Sequence, residues 1–151
     1  MIKFTCDRQT FYTAITHVAK GVSQKSTIPA RLKLRLDHDN LELTGYDLEF
    51  GIQRSIEVES DCSGEFVILP RLLSEAVRRF SGNIVTMEVD DNYVVKLFCD
   101  ATEFQISAMS SEEYPALPSL DLNVGMQIEQ PVLNSMIRQT SYATSVSEAK
   151  P

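Results

Sequence analysis

The stretch Leu36–Val58, LDHDNLELTGYDLEFGIQRSIEV, decides how the rest of the chain is read. Leu32, Leu34 and Leu36 share one side of an extended segment. Leu41 and Leu43 answer across the turn Asp37-His38-Asp39-Asn40. A second break falls at Thr44-Gly45-Tyr46-Asp47, and Leu48, Phe50 and Ile52 open a further strand. Alternation of period two around Asp, Asn and Gly turns predicts antiparallel strands with one buried face. The spacing predicts a three-stranded meander over 32–36, 41–45 and 48–59.

Upstream, Ile2 to Cys6 alternate as a short strand, and Asp7 can cap a helix beginning at Arg8. Phe11, Ala14, Ile15 and Val18 fall on one face of that helix, and Gly21 ends it. Downstream the same order returns. Glu65 to Leu69 is a strand, and Pro70 suits a first helical turn. Leu73, Ala76, Val77 and Phe80 make the buried stripe, and strands follow near 84–90, 93–98 and 103–109. At an offset of 62, Phe4 matches Phe66, Phe11 matches Leu73, Ile15 matches Val77 and Val18 matches Phe80. The chain is therefore read as an internal repeat, strand–helix–three strands, present twice. Ser110 to Gly125 reads as a linker. A third copy begins after it, in which Met126 matches Phe4 and Leu133 matches Phe11. Its helix opens at Gln130-Pro131 and carries Val132, Leu133, Met136 and Ile137 on one face. Such a stripe needs a cover, so the chain is expected to be a fragment of a longer protein.

Composition narrows the function. The 151 residues carry a net charge of −7, which argues against a nucleic-acid binder until the distribution is considered. From Leu36 to Glu65 there are nine acids against one base, Arg54. The polar helix faces hold Lys20, Arg71, Arg78 and Arg79, with Arg138 on the third helix and Lys25 in the loop after the first. A merely solvated helix face would look the same. Glu75 is placed to pair with Arg71 or Arg78. Three scattered cysteines without a CxxC fit reduced thiols in a cytoplasmic protein. The N-terminus has no secretory pattern, and no apolar run is long enough to span a bilayer. No HExxH, Gly-rich phosphate loop or GxSxG elbow is present, so neither catalytic nor metal-binding residues are expected and no cofactor is implied.

Five segments in register, CDRQTFYTAI, VSQKSTIP, LTGYDLE, FVILPRLLSEAVRRF and ISAMSSEEYPALP, resemble the bacterial DNA polymerase III beta subunit family, the sliding clamps. One departure is the run Ala30-Arg31-Leu32, where the family more often continues apolar. The resemblance implies an α+β DNA-clamp fold, two β-α-β-β-β repeats with both helices on one face of antiparallel sheets. Residues 1–122 would form a first clamp domain and 123–151 the opening strand and helix of a truncated second. It implies a non-catalytic replication processivity factor of the bacterial cytoplasm. Two subunits would close a ring around duplex DNA, held without regard to sequence by Lys20, Lys25, Arg71, Arg78, Arg79 and Arg138. Phe104 and Ile106, on the last strand of the second copy, would meet the second clamp subunit. DNA polymerase III and the clamp loader would bind through later domains. The alternative is a stand-alone interaction module with this fold, associating through the same edge strand and binding no DNA.

Overall fold

The computed structural model of the chain describes residues 1–22, 31–118 and 125–144. It divides into two units, Met1–Leu117 and Pro118–Pro151. In the first, β1 (Ile2–Asp7) runs straight into α1 (Arg8–Val18). The Asp7 carboxylate accepts the Thr10 amide at 2.7 Å, and hydrogen bonding from the Thr10 side chain and then its amide holds the Asp7 pKa below the ordinary range. A 3-10 turn, Ala19–Gly21, completes the helix. The first meander is β2 (Leu32–Asp37), β3 (Asn40–Tyr46) and β4 (Gly51–Glu57). The second copy follows as β5 (Ser63–Ile68), α2 (Pro70–Arg79), β6 (Ile84–Val89), β7 (Val94–Cys99) and β8 (Thr102–Ser107).

The repeat is real, and the two copies are interleaved. The sheets run β4-β3-β2-β5 and β1-β6-β7-β8, all antiparallel. Each copy thus lends its leading strand to the other copy's meander. The two sheets are joined at both ends by equivalent bridges. Thr5 exchanges backbone hydrogen bonds with Glu59 at 3.0 and 2.8 Å, and Val67 does so with Met109 at 2.9 and 2.8 Å. Thr5 and Val67 are related by the repeat offset of 62. All eight residues matched at that offset are buried in one core shared by both sheets and both helices. Phe4 meets Phe11 edge to face, with ring centres 5.8 Å apart.

Three expectations need correction. The break in the meander lies at 47–50, because Thr44, Gly45 and Tyr46 still pair within β3. Asp47 Oδ1 accepts the amides of Glu49 (3.2 Å) and Phe50 (2.8 Å), a side-chain turn that competes with the ladder. Leu48 sits at φ 80, and Leu48 and Phe50 are exposed, so the fourth strand starts only at Gly51. Gly21 ends the helix as expected, although its φ is not positive. It is there for space: an added Cβ would lie 2.8 Å from the Gly45 carbonyl oxygen and 2.9 Å from the Ile52 nitrogen. Gly45 in turn faces the Val18 carbonyl oxygen. This glycine pair seats the end of α1 directly on the backbones of β3 and β4.

The segment after β8 is also not a linker throughout. Ser111 is buried and donates to Glu65 Oε1 at 2.6 Å. The Tyr114 hydroxyl accepts the Tyr46 amide at 3.0 Å and donates to the Thr44 carbonyl at 3.0 Å. A hydroxyl can satisfy strand-end amides and carbonyls as well as a strand can, so 110–117 packs as a strap. Burial raises the Tyr114 pKa above the usual phenol value. In the second unit, α3 (Gln130–Thr140) forms as expected. The strand expected before it does not: residues 125–129 have no ladder partner among the described residues.

Candidate nucleic-acid interface

α2 owes its polar face to its phase. Pro70 presets the first turn, and Leu73, Ala76 and Val77 bury one side. Arg71 and Arg78, two turns apart, share the opposite stripe and are exposed. Arg79 is turned aside, toward a groove that it lines together with Glu75. Among the described residues none of the three arginines forms an ion pair. The pairing of Glu75 with Arg71 or Arg78 does not form. Glu75 follows Arg71 by four residues, the less favourable order for a helical pair.

α1 lies against α2 and contributes Lys20, exposed in the terminal 3-10 turn. Lys25 lies outside the described residues. Arg138 is exposed on α3, in the second unit. A residue that the charge count had assigned to the acidic sheet joins this face as well. Ladder pairs Ile52↔Gly45, Arg54↔Leu43 and Ile56↔Leu41 put Arg54 on the helix side of β4. There its guanidinium Nη1 donates to His17 Nδ1 of α1 at 2.8 Å. The signal was present in the sequence, because Arg54 has the parity of Ile52 and Ile56.

The outer faces of the sheets behave differently. Lys3 ends on Glu88 at 2.8 Å and Lys33 on Glu65 at 2.8 Å. Hydrogen bonds from Lys33 and Ser111 hold the Glu65 carboxyl below the usual carboxylate range. Asp37, Asp39, Glu49, Glu57, Glu59 and Asp61 are exposed on the strands and turns around them. Arg35 and Lys96 on these faces form no ion pair among the described residues, but the sheets and their turns also carry much of the negative charge.

β8 closes its sheet at one edge, and among the described residues one row of its backbone groups has no neighbouring strand. Phe104 and Ile106 point to the core side and are half-buried, with the Phe104 ring tilted against Phe80 at 5.2 Å between centres. Between β8 and α2 runs an open groove of about 480 Å³, lined in part by Leu72, Ala76 and Arg79. A second hollow of about 590 Å³ separates the end of α1 from the start of α2, beside Thr16, Val22, Leu69 and Arg71.

Cys6 and Cys99 are buried and Cys62 is half-buried, all as free thiols. Burial, reinforced by the Asp7 charge, pushes the Cys6 thiol up to about 12, so it is inert as a nucleophile. Among the described residues no group of His, Cys, Asp and Glu could hold a metal ion, and no helix is long and apolar enough to cross a membrane.

Residues 2–118 match the family model of the DNA polymerase III beta subunit, N-terminal domain. The chain is 30% identical to the beta sliding clamp of Halalkalibacterium halodurans, over 98% of this chain and 42% of that protein. It is 29% identical to that of Bacillus subtilis, over 99% of this chain and 42% of that protein. The crystal structure of the Bacillus subtilis DNA polymerase sliding clamp superposes with a TM-score of 0.93, again covering 99% of this chain and 42% of that one. The Streptococcus pyogenes DNA polymerase beta subunit, 19% identical, shares the fold with a TM-score of 0.92, over 99% of this chain and 42% of that one. The chain thus spans about two fifths of the length of these relatives.

Proposed function

The chain belongs to the DNA polymerase III beta subunit family, and from that premise we propose that its parent protein is a replication processivity factor. It is a non-catalytic cytoplasmic ring that encircles duplex DNA and tethers the replicative polymerase. The observation that carries this reading is the contrast between the two faces of the first unit. Among the described residues Arg71, Arg78 and Lys20 on the helices form no ion pair, whereas on the sheets Lys3 and Lys33 do and the unpaired Arg35 and Lys96 stand on faces that carry much of the negative charge. A ring that slides must touch phosphates and leave base edges alone, since base contacts would hold it at one sequence. It must also touch them weakly. Each neutralised phosphate contributes roughly −0.9 to the salt slope, so a few helix cations per domain give loose contact. Retention then comes from closure of the ring, with acidic outer sheets repelling DNA that is not threaded.

In this reading Arg71, Arg78, Lys20 and Lys25 face DNA from the first domain and Arg138 from the second, whose opening lies in 123–151. Arg79 sits at the margin of the DNA face, beside the β8 groove. Phe104 and Ile106 belong to the joint with a second subunit, where an unpaired sheet edge and an adjacent apolar groove suit strand addition. Polymerase and clamp loader bind elsewhere in the parent protein. The test is charge reversal in the full-length parent. Arg71→Glu with Arg78→Glu should sharply reduce processive synthesis on primed circular DNA while leaving the subunit folded. Unchanged processivity would show that this face does not meet DNA.

A further inference from the structure

We infer that Arg54 and His17 form a second phosphate-contacting site on the helical face, one that no reading of α1 and α2 alone contains. The inference rests on the proposal that this face meets DNA. Arg54 rises from β4, inward by its ladder register, and reaches the exposed side of α1. Its recorded partner is the His17 ring at 2.8 Å, and among the described residues it forms no ion pair with a carboxylate.

The chemistry of that hydrogen bond sets the charge. A guanidinium has only donors, so His17 Nδ1 must accept, and the ring is then the neutral tautomer with its proton on Nε2. An arginine held by a neutral acceptor keeps its whole positive charge, unlike Lys33 held by Glu65. It spends one of five N–H donors on the imidazole, and the others remain for an anion. The imidazole orients the guanidinium through this bond. The ligand class is the phosphodiester backbone, which accepts from planar guanidinium donors. Lys20 follows His17 by three residues, and its neighbour Gly21 rests against the Ile52 backbone of the same strand. His17 is the positioning residue and Arg54 the contacting one.

The experiment is a titration of the 15N-labelled 151-residue chain with a short random-sequence duplex at low salt. It follows the side-chain Nε–H of Arg54, Arg71 and Arg78 and both ring nitrogens of His17. The expected result is movement of all three arginines, with His17 showing an unprotonated Nδ1 in the free chain. Arg54→Gln should then lower the magnitude of the salt slope of binding by about 0.9 and bring the His17 ring nitrogens toward an averaged tautomer. Movement of Arg71 and Arg78 without Arg54 would overturn this inference and leave the DNA face standing. Movement of none would overturn both.

Discussion

Lys33 and Arg54 stand on β2 and β4 of one four-stranded sheet, yet they end in opposite circumstances. Lys33 points outward and is neutralised by Glu65 at 2.8 Å, a carboxylate that Ser111 also holds. Arg54 points toward the helices and is held by an uncharged imidazole. The difference teaches that charge is handled by face rather than by sequence neighbourhood. The outer face pairs Lys3 and Lys33 while Lys96 stands without an ion pair; among the described residues the helical face pairs none of Arg71, Arg78, Lys20 and Arg54 with a carboxylate, although a free cation costs nothing only where water or an anion can reach it. A surface that merely needed solubility would have no reason to separate the two.

The contrast can be broken most severely at the seat of α1. Gly45→Ala would drive a Cβ into the Val18 carbonyl oxygen, a backbone atom that cannot turn away. Unfolding in urea should show a loss of about 2–3 kcal/mol. An unshifted midpoint would mean that α1 does not rest on β3 as described. The outer side has a smaller equivalent. Tyr114→Phe leaves the Tyr46 amide and the Thr44 carbonyl without their partner and should cost about 1–2 kcal/mol by the same measurement.

Glu65→Gln sharpens the comparison, because it turns a paired sheet cation into an unpaired one. Stability should fall by less than about 1 kcal/mol at neutral pH, as for other exposed pairs. The pH dependence has a definite sign. The folded Glu65 pKa is depressed, so its contribution is present above the unfolded value near 4.5 and is lost as pH falls through the folded value. The parent chain should therefore lose more stability on acidification from pH 5 to 3 than the Glu65→Gln variant. Equal acid limbs would show that Lys33 and Ser111 do not stabilise this carboxylate. The smallest effect belongs to Lys3→Met, where the pair with Glu88 is open to water. A change within about 0.5 kcal/mol is expected. A larger loss would mean that the outer pairs carry structural weight of their own.

Much of this was legible from side-chain periodicity. The buried stripes of α1 and α2 depend on spacing alone, as do the inward leucines of β2 and β3 and the 62-residue match between copies. The exposure of Arg71, Arg78 and Lys20 was legible for the same reason, since residues opposite an apolar stripe must be outside. The turn at 47–50 was misread because Leu48 and Phe50 continue the apolar alternation, while Asp47 ends the strand by bonding their backbone neighbours. Ser110–Leu117 was misread because proline and serine mark irregular backbone. They do not say whether that backbone will find partners.

What the sequence determined by itself was which residues share a face within each element, and hence the two-fold repeat, the basic helices and the acidic strands. Periodicity is a local property of backbone geometry, and neighbouring residues suffice to express it. Only the tertiary structure decided that each copy would hand its first strand to the other, that Gly21 and Gly45 would meet, and that Arg54 would find His17 rather than an acid. Those outcomes depend on which distant segments become neighbours. That choice follows from burying one common core, to which all eight strands and both helices of the first unit contribute at once.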